Sequence, residues 1–142
     1  MVALTIALRE KPCQPLGSDQ RVRTADDFIT YPDISIHCDQ PRFDDQHPES
    51  LLNPRVLIEI LSESTEGYDR GKKFELYQVI PGFREYLLIA QDRVRIERFV
   101  RQDDGDWKLS AFVDPTAVVD LASVGCALRV ADIYAGVEFP QT

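Results

Sequence analysis

Arg55-Val56-Leu57-Ile58-Glu59-Ile60-Leu61 is a near-continuous apolar run with one carboxylate near its middle. A run this short and this apolar is the pattern of a central strand covered on both faces. Covering both faces takes helices or further chain on either side of a sheet, which selects an α/β architecture, an α+β mixed sheet flanked by helices. The rest of the chain supplies the parts. Residues 2–9 read as a short helix stopped by Lys11 and Pro12, and residues 20–24 as a short strand. Residues 31–38 alternate, with Asp33, Ser35 and His37 on one face and Ile34, Ile36 and Cys38 on the other. Residues 39–54, with three prolines, read as a surface connection. Ser62, Ser64 and Thr65 offer capping oxygens to a helix over residues 69–80, whose Phe74, Tyr77 and Ile80 recur near helical spacing before Pro81-Gly82. Strands follow at 85–90, 93–101, 107–113 and 118–121, the third entered through the turn Asp103-Asp104-Gly105-Asp106. A short helix at 130–134 closes the chain. At 142 residues, the expectation is a single domain over 1–142.

Net charge narrows function. The chain carries 16 basic and 24 acidic side chains, a formal charge of −8. That disfavours non-specific coating of nucleic acid or anionic lipid, where Lys and Arg supply most of the affinity. The excess acid lies at the two ends, however, and residues 51–100 balance at 8 basic and 8 acidic side chains. Cys13, Cys38 and Cys126 are odd in number and far apart, so neither a disulfide framework nor a zinc site is expected, and a reducing cytoplasmic setting fits. The apolar stretch 2–8 is too short for a membrane span and lacks the features of a secretion signal. The chain carries no Ser, His or Cys arrangement of a nucleophilic enzyme; His37 and His47 read as a strand residue and a loop residue.

Glu59 is the chemical anomaly. Period-2 geometry sets it on a face with Leu57 and Leu61, where an ionised carboxylate needs a cation, hydrogen bonds or a proton. Asp33 is the second anomaly, just after Pro32 at a strand start. If the two strands are neighbours, the two side chains approach to about 5 Å between Cβ atoms. A hard cation such as Mg²⁺ holds such a pair readily, with waters and substrate phosphate completing its shell. Asp69-Arg70-Gly71-Lys72-Lys73 then brings three cations within four residues, one of which could orient a water or offset phosphate charge. The plainer readings are a hydrogen-bonded buried acid for Glu59, a turn contact for Asp33, and an i, i+4 pair with Asp69 for Lys73. The arginines at 93, 95, 98 and 101 read as a solvated strand face, with Arg93 and Arg95 on one side.

Tyr31-Pro32-Asp33, Leu57-Ile58-Glu59-Ile60-Leu61-Ser62-Glu63-Ser64-Thr65, Tyr68-Asp69-Arg70-Gly71-Lys72-Lys73-Phe74-Glu75-Leu76-Tyr77 and Arg84-Glu85-Tyr86-Leu87-Leu88 together resemble the Uma2 family, also called DUF820. This is a family of restriction-endonuclease-like proteins within the PD-(D/E)XK nuclease superfamily. The resemblance implies a restriction-endonuclease-like core, Asp33 and Glu59 as metal ligands, and Mg²⁺ as cofactor with Mn²⁺ as a substitute. The superfamily lysine stands two residues after the second acid, but that position is Leu61 here. The role then falls to Lys73 on the following helix, with Lys72 as second choice. Asp69, Tyr77 and Glu85 are supporting candidates. Relatives carry a further segment before the first helix, so the domain reads as shortened at its N-terminus. The implied activity is endonucleolytic hydrolysis of DNA, with a homodimer as the natural way to cut two strands. The alternative is a catalytically inactive nuclease-fold module serving interaction or structure.

Overall fold

The computed structural model describes residues 2–24 and 27–139. In chain order the elements are α1 (Val2–Ala7), β1 (Cys13–Leu16), β2 (Arg21–Arg23), β3 (Ile29–Thr30), β4 (Ile34–Cys38), β5 (Ser50–Leu51) and β6 (Val56–Ile60). There follow α2 (Glu66–Arg70), α3 (Lys72–Tyr77), β7 (Glu85–Ile89), β8 (Ile96–Arg101), β9 (Trp107–Phe112), β10 (Val118–Leu121), β11 (Cys126–Arg129) and α4 (Val130–Ile133). The main sheet runs β1-β4-β6-β7-β8-β9. Within this sheet β6 and β7 are the one parallel pair among the described residues, and α2 and α3 form the crossover between them. The fold is therefore mixed α+β, with the apolar run of residues 56–60 at its centre.

Strand alternation divides the core. Leu57 and Leu61 pack with Phe74, Tyr77, Ile80, Phe83, Tyr86 and Leu88 on the α2–α3 side. Val56 and Ile58 pack with Leu4, Leu8, Val119, Leu121, Leu128 and Val130 on the other, under α1, α4 and the β10–β11 hairpin. The short sheet β3-β2-β5 sends Val22 and Leu51, both fully buried, into the first cluster. Residues 39–54 are thus more than a surface connection: β5 lies within them, and Asn53 Oδ1 accepts from the Arg42 N–H at 2.7 Å.

Other expectations need correcting. The helix expected over 69–80 is two helices broken at Gly71, whose backbone (φ −102°, ψ −91°) leaves the helical region. A Cβ there would sit 3.3 Å from the Gly67 carbonyl oxygen, so the break suits glycine. Ser62 and Thr65 bond each other, Oγ to Oγ1 at 2.7 Å, and neither caps α2 through its side chain. The strand expected over 93–101 begins at Ile96, so the shared face of Arg93 and Arg95 does not form. Strand 31–38 begins at Ile34, because Pro32 has no N–H and the Asp33 N–H is given to Glu59.

Cys13 and Cys38 stand opposite each other on antiparallel β1 and β4, with Cα atoms 3.9 Å apart, and are joined by a disulfide. Spacing of 25 residues along the chain hides a cross-strand pair, so the expectation of no disulfide was wrong. With it goes the argument from cysteines for a reducing setting. Closing a loop of that length restricts the unfolded chain, so reduction, or Cys13→Ser with Cys38→Ser, should lower stability by about 3 kcal/mol in urea titrations. Equal midpoints with and without reductant would exclude that contribution. Among the described residues no helix is long and apolar enough to cross a membrane.

Candidate functional site

β4 and β6 pair antiparallel with Ile34 opposite Ile58, and one further step puts Asp33 opposite Glu59. The two residues then bracket each other. The Asp33 N–H donates to Glu59 Oε1 at 3.2 Å, and the Ile60 N–H donates to Asp33 Oδ2 at 2.7 Å. Glu59 sits on the α2–α3 side with Leu57 and Leu61, and is 3% exposed. The cation comes from α3: Lys73 Nζ donates to Glu59 Oε2 and lies 3.5 Å from Asp69 Oδ1.

Helix rotation selects the lysine. Phe74 and Tyr77 are buried against the sheet, and Lys73 precedes Tyr77 by four residues, so it shares that stripe. Lys72 is exposed. Asp69, 3% exposed, is brought in from the last turn of α2. Tyr77 is also close, its hydroxyl 3.1 Å from Thr30 Oγ1. Glu85 is not. It stands beside Val56 at the far end of β7 from Leu88, on the other sheet face, where its Oε1 accepts from the Ser123 N–H at 2.9 Å and from the Ser123 hydroxyl.

Tyr86 was missed. Its hydroxyl donates to the Asp69 carbonyl at 3.0 Å, tying the end of α2 to β7. Only the β6–β7 register reveals it: Leu88 pairs with Glu59, and two residues back along a strand lies the same face. A second missed group is Glu97, 4% exposed, opposite Leu88 on β8. It accepts from Arg70 of α2 and, at 3.1 Å, from Arg95 Nε, so two guanidinium groups stand beside the carboxylate site.

Burial pushes the Glu59 carboxyl up to about 7, against the opposing pull of Lys73 and with a smaller push from Asp69 and Asp33. Burial pulls Lys73 down, but its bonds to Glu59 and Asp69 outweigh this and hold it above its ordinary range. Burial also raises the Tyr77 and Tyr86 phenols, which stay neutral. Because folded Glu59 binds its proton more tightly than the unfolded chain does, it favours folding most below its ordinary 4.5. That contribution is lost as pH rises to about 7, a change of about 3 kcal/mol. Lys73 titrates above this window. Metal-free Glu59→Gln should therefore lack the decline, and the difference between its urea-derived stability and that of wild type should grow by about 3 kcal/mol from pH 4.5 to pH 8. Parallel curves across that window would contradict the burial penalty.

Mg²⁺ requires only one or two carboxylates when waters and a phosphate complete its octahedron. The Asp33–Glu59 pair meets that requirement with hard oxygen donors, which also suit Mn²⁺. Among the described residues no group of three or more His, Cys, Asp or Glu side chains is arranged to hold an ion with protein atoms alone.

A family model named Uma2, with the description "Putative restriction endonuclease", matches residues 1–131. The chain belongs to the Uma2 family. Two Synechocystis sp. proteins of that likeness, the uncharacterized slr1290 and sll1609, are 36% and 30% identical over 128 and 120 residues. These alignments cover 89% and 84% of this chain and 66% and 68% of those proteins, so the chain spans about two thirds of their length. The fold matches a crystal structure described as a putative nuclease belonging to DUF820 from Anabaena variabilis. The TM-score is 0.75 at 18% identity, over 96% of this chain and 76% of that one. In this Uma2 domain Leu61 is buried in the core two residues after Glu59, and the site lysine comes from the neighbouring helix.

Proposed function

We propose that this Uma2 domain is a metal-dependent endonuclease that hydrolyses DNA phosphodiester bonds at the Asp33–Glu59–Lys73 site. One observation carries the reading: a buried ammonium from α3 sits on the carboxylate that Asp33 brackets across two strands. Glu59 and Asp33 are the residues that would hold Mg²⁺ or Mn²⁺. When bound, such an ion supplies Lewis acidity and a more acidic water. Lys73 would orient the attacking water or offset charge on the phosphate under attack. Asp69 holds Lys73 in place, and Tyr86 fixes the backbone that carries Asp69. Arg70 and Arg95 stand next to the site, their charge balanced by Glu97 and Glu66. The family description as a restriction endonuclease supports DNA as the substrate.

A second reading is a catalytically inactive nuclease-fold module. One observation favours it: both oxygens of Glu59 and one of Asp33 already accept hydrogen bonds from the protein. The deciding experiment incubates plasmid and single-stranded DNA with Mg²⁺ or Mn²⁺ and wild type, Asp33→Ala or Glu59→Ala. Cleavage by wild type alone is expected. No cleavage together with no rise in Tm on adding metal selects the inactive module, and cleavage surviving both substitutions overturns the site. With a net charge of −8, DNA association is expected to weaken steeply with salt and to depend on metal.

A further inference from the structure

β9 ends the six-stranded sheet, and among the described residues no strand lies beside its outer edge. Which groups it leaves unpaired follows from the ladder. The Arg101 N–H bonds the Arg84 carbonyl and the Ala90 N–H bonds the Arg95 carbonyl, so odd-numbered residues of β8 face β7. Even-numbered residues of β8 face β9, where they meet Lys108, Ser110 and Phe112. The turn agrees. The Gln102 N–H bonds the Asp106 carbonyl and the Gly105 N–H bonds the Gln102 carbonyl, a bulge with Gly105 at φ 91°. The N–H and C=O groups of Leu109 and Ala111 therefore point outward, away from the sheet, and Val113 follows directly after the strand.

This edge carries one lysine, Lys108, and a bulge at its start, but little else that would keep it single. Residues 107–114 contain no proline, Leu109 and Val113 are 51% and 58% exposed, and Lys108, Ala111 and Asp114 are exposed. The Lys108 ammonium pairs with no acid among the described residues.

We propose that the β9 edge pairs antiparallel with the same edge of a second copy, about a twofold axis at Ala111. That register joins outward-facing backbone to outward-facing backbone, which the ladder parity requires. It sets Leu109 against the partner's Val113 and Lys108 against the partner's Asp114, each twice by symmetry. Registers centred one residue away lose both matches. Asp114 receives bonds from Thr116 N and Oγ1 at 2.9 and 2.8 Å on Oδ1 alone, so Oδ2 is left for Lys108.

The axis position has a consequence for the site. Glu59 pairs with Leu88, Leu88 with Glu97, and Glu97 with Ala111, so Glu59 lies on the row that crosses the axis. An antiparallel edge pair has its twofold perpendicular to the sheet, so both Glu59 residues belong to the same face of a twelve-stranded sheet, each buried under its own α2–α3. Seven strand-to-strand steps separate them. The pairing does not rest on the nuclease reading.

Sedimentation velocity of the full chain tests the pairing without reference to activity. Wild type is expected at twice the 16.2 kDa chain mass. Lys108→Glu should shift it to monomer by placing like charges opposite each other, and so should Asp114→Lys. An equimolar mixture of the two should restore dimer, because each contact then joins opposite charges. Circular dichroism checks that each variant is folded, and Ala111→Cys should form an intermolecular disulfide under mild oxidation, since it faces itself across the axis. A monomeric wild type at millimolar concentration, or a dimer unmoved by Lys108→Glu, overturns the proposal. A dimer without nuclease activity leaves it standing and counts against the nuclease reading alone.

Discussion

Lys73→Met is expected to lower stability by about 3–5 kcal/mol at pH 8 and, on the proposed nuclease function, to abolish DNA cleavage. The methionine keeps the volume of the stem but removes the charge from a side chain only 13% exposed. Glu59 and Asp69, each about 5% exposed or less at the side chain, are then left as two buried carboxylates without their cation. Glu59 can escape by taking a proton, so the loss should shrink as the pH is lowered from 8 towards 5. Adding Glu59→Gln to Lys73→Met should recover much of the stability, since removing both charges is far less costly than removing one. Urea titrations at the two pH values measure both effects. If Lys73 serves catalysis and the carboxylates serve metal binding, Mg²⁺ should still raise the Tm of Lys73→Met although cleavage is gone. A single variant that is as stable as wild type at pH 8 would show that the pair contributes nothing to the fold.

Phe74→Ala should be equally damaging, for a different reason. The Phe74 ring is the meeting point of the aromatic core, with ring centroids of Phe99, Tyr86 and Trp107 at 4.7, 5.0 and 5.0 Å. Truncating it opens a cavity that these rings cannot close without moving β7, β8 and β9, so a loss of about 3–5 kcal/mol is expected. On the proposed nuclease function the variant should also lose cleavage, because Phe74 anchors the helix that carries the adjacent Lys73. Phe74→Leu, which keeps most of the apolar volume, should retain over half of the stability lost by the alanine variant. Comparing the three proteins by urea titration checks this, and a loss under 1 kcal/mol for Phe74→Ala would mean the rings repack.

Much of the frame was legible because it depends on local periodicity. Alternation placed Glu59 with Leu57 and Leu61, and the structure keeps all three on one face. The spacing of Phe74, Tyr77 and Ile80 identified the buried side of the helical segment. Its division into two helices was not legible, since the break comes from one backbone conformation at Gly71. Arg93 was misplaced for a similar reason: alternating charges continue past the point where the ladder with β7 ends. The Cys13–Cys38 bond was hidden because β1, a four-residue strand containing Pro15, carries almost no pattern of its own.

Taken alone, the chain established that a carboxylate lies in a buried central strand, and that it must find a cation, donors or a proton. Period and the cost of burying charge are local facts, and they suffice for that much. Tertiary structure decided which of these it finds. The β4–β6 register brings the Asp33 N–H to one oxygen, and the rotation of α3 brings Lys73 to the other. The same long-range pairing sent Glu85 to the opposite face and brought Tyr86 and Glu97 towards the site. Strand register and helix rotation are set by contacts between residues far apart in the chain, so no local pattern could have carried them.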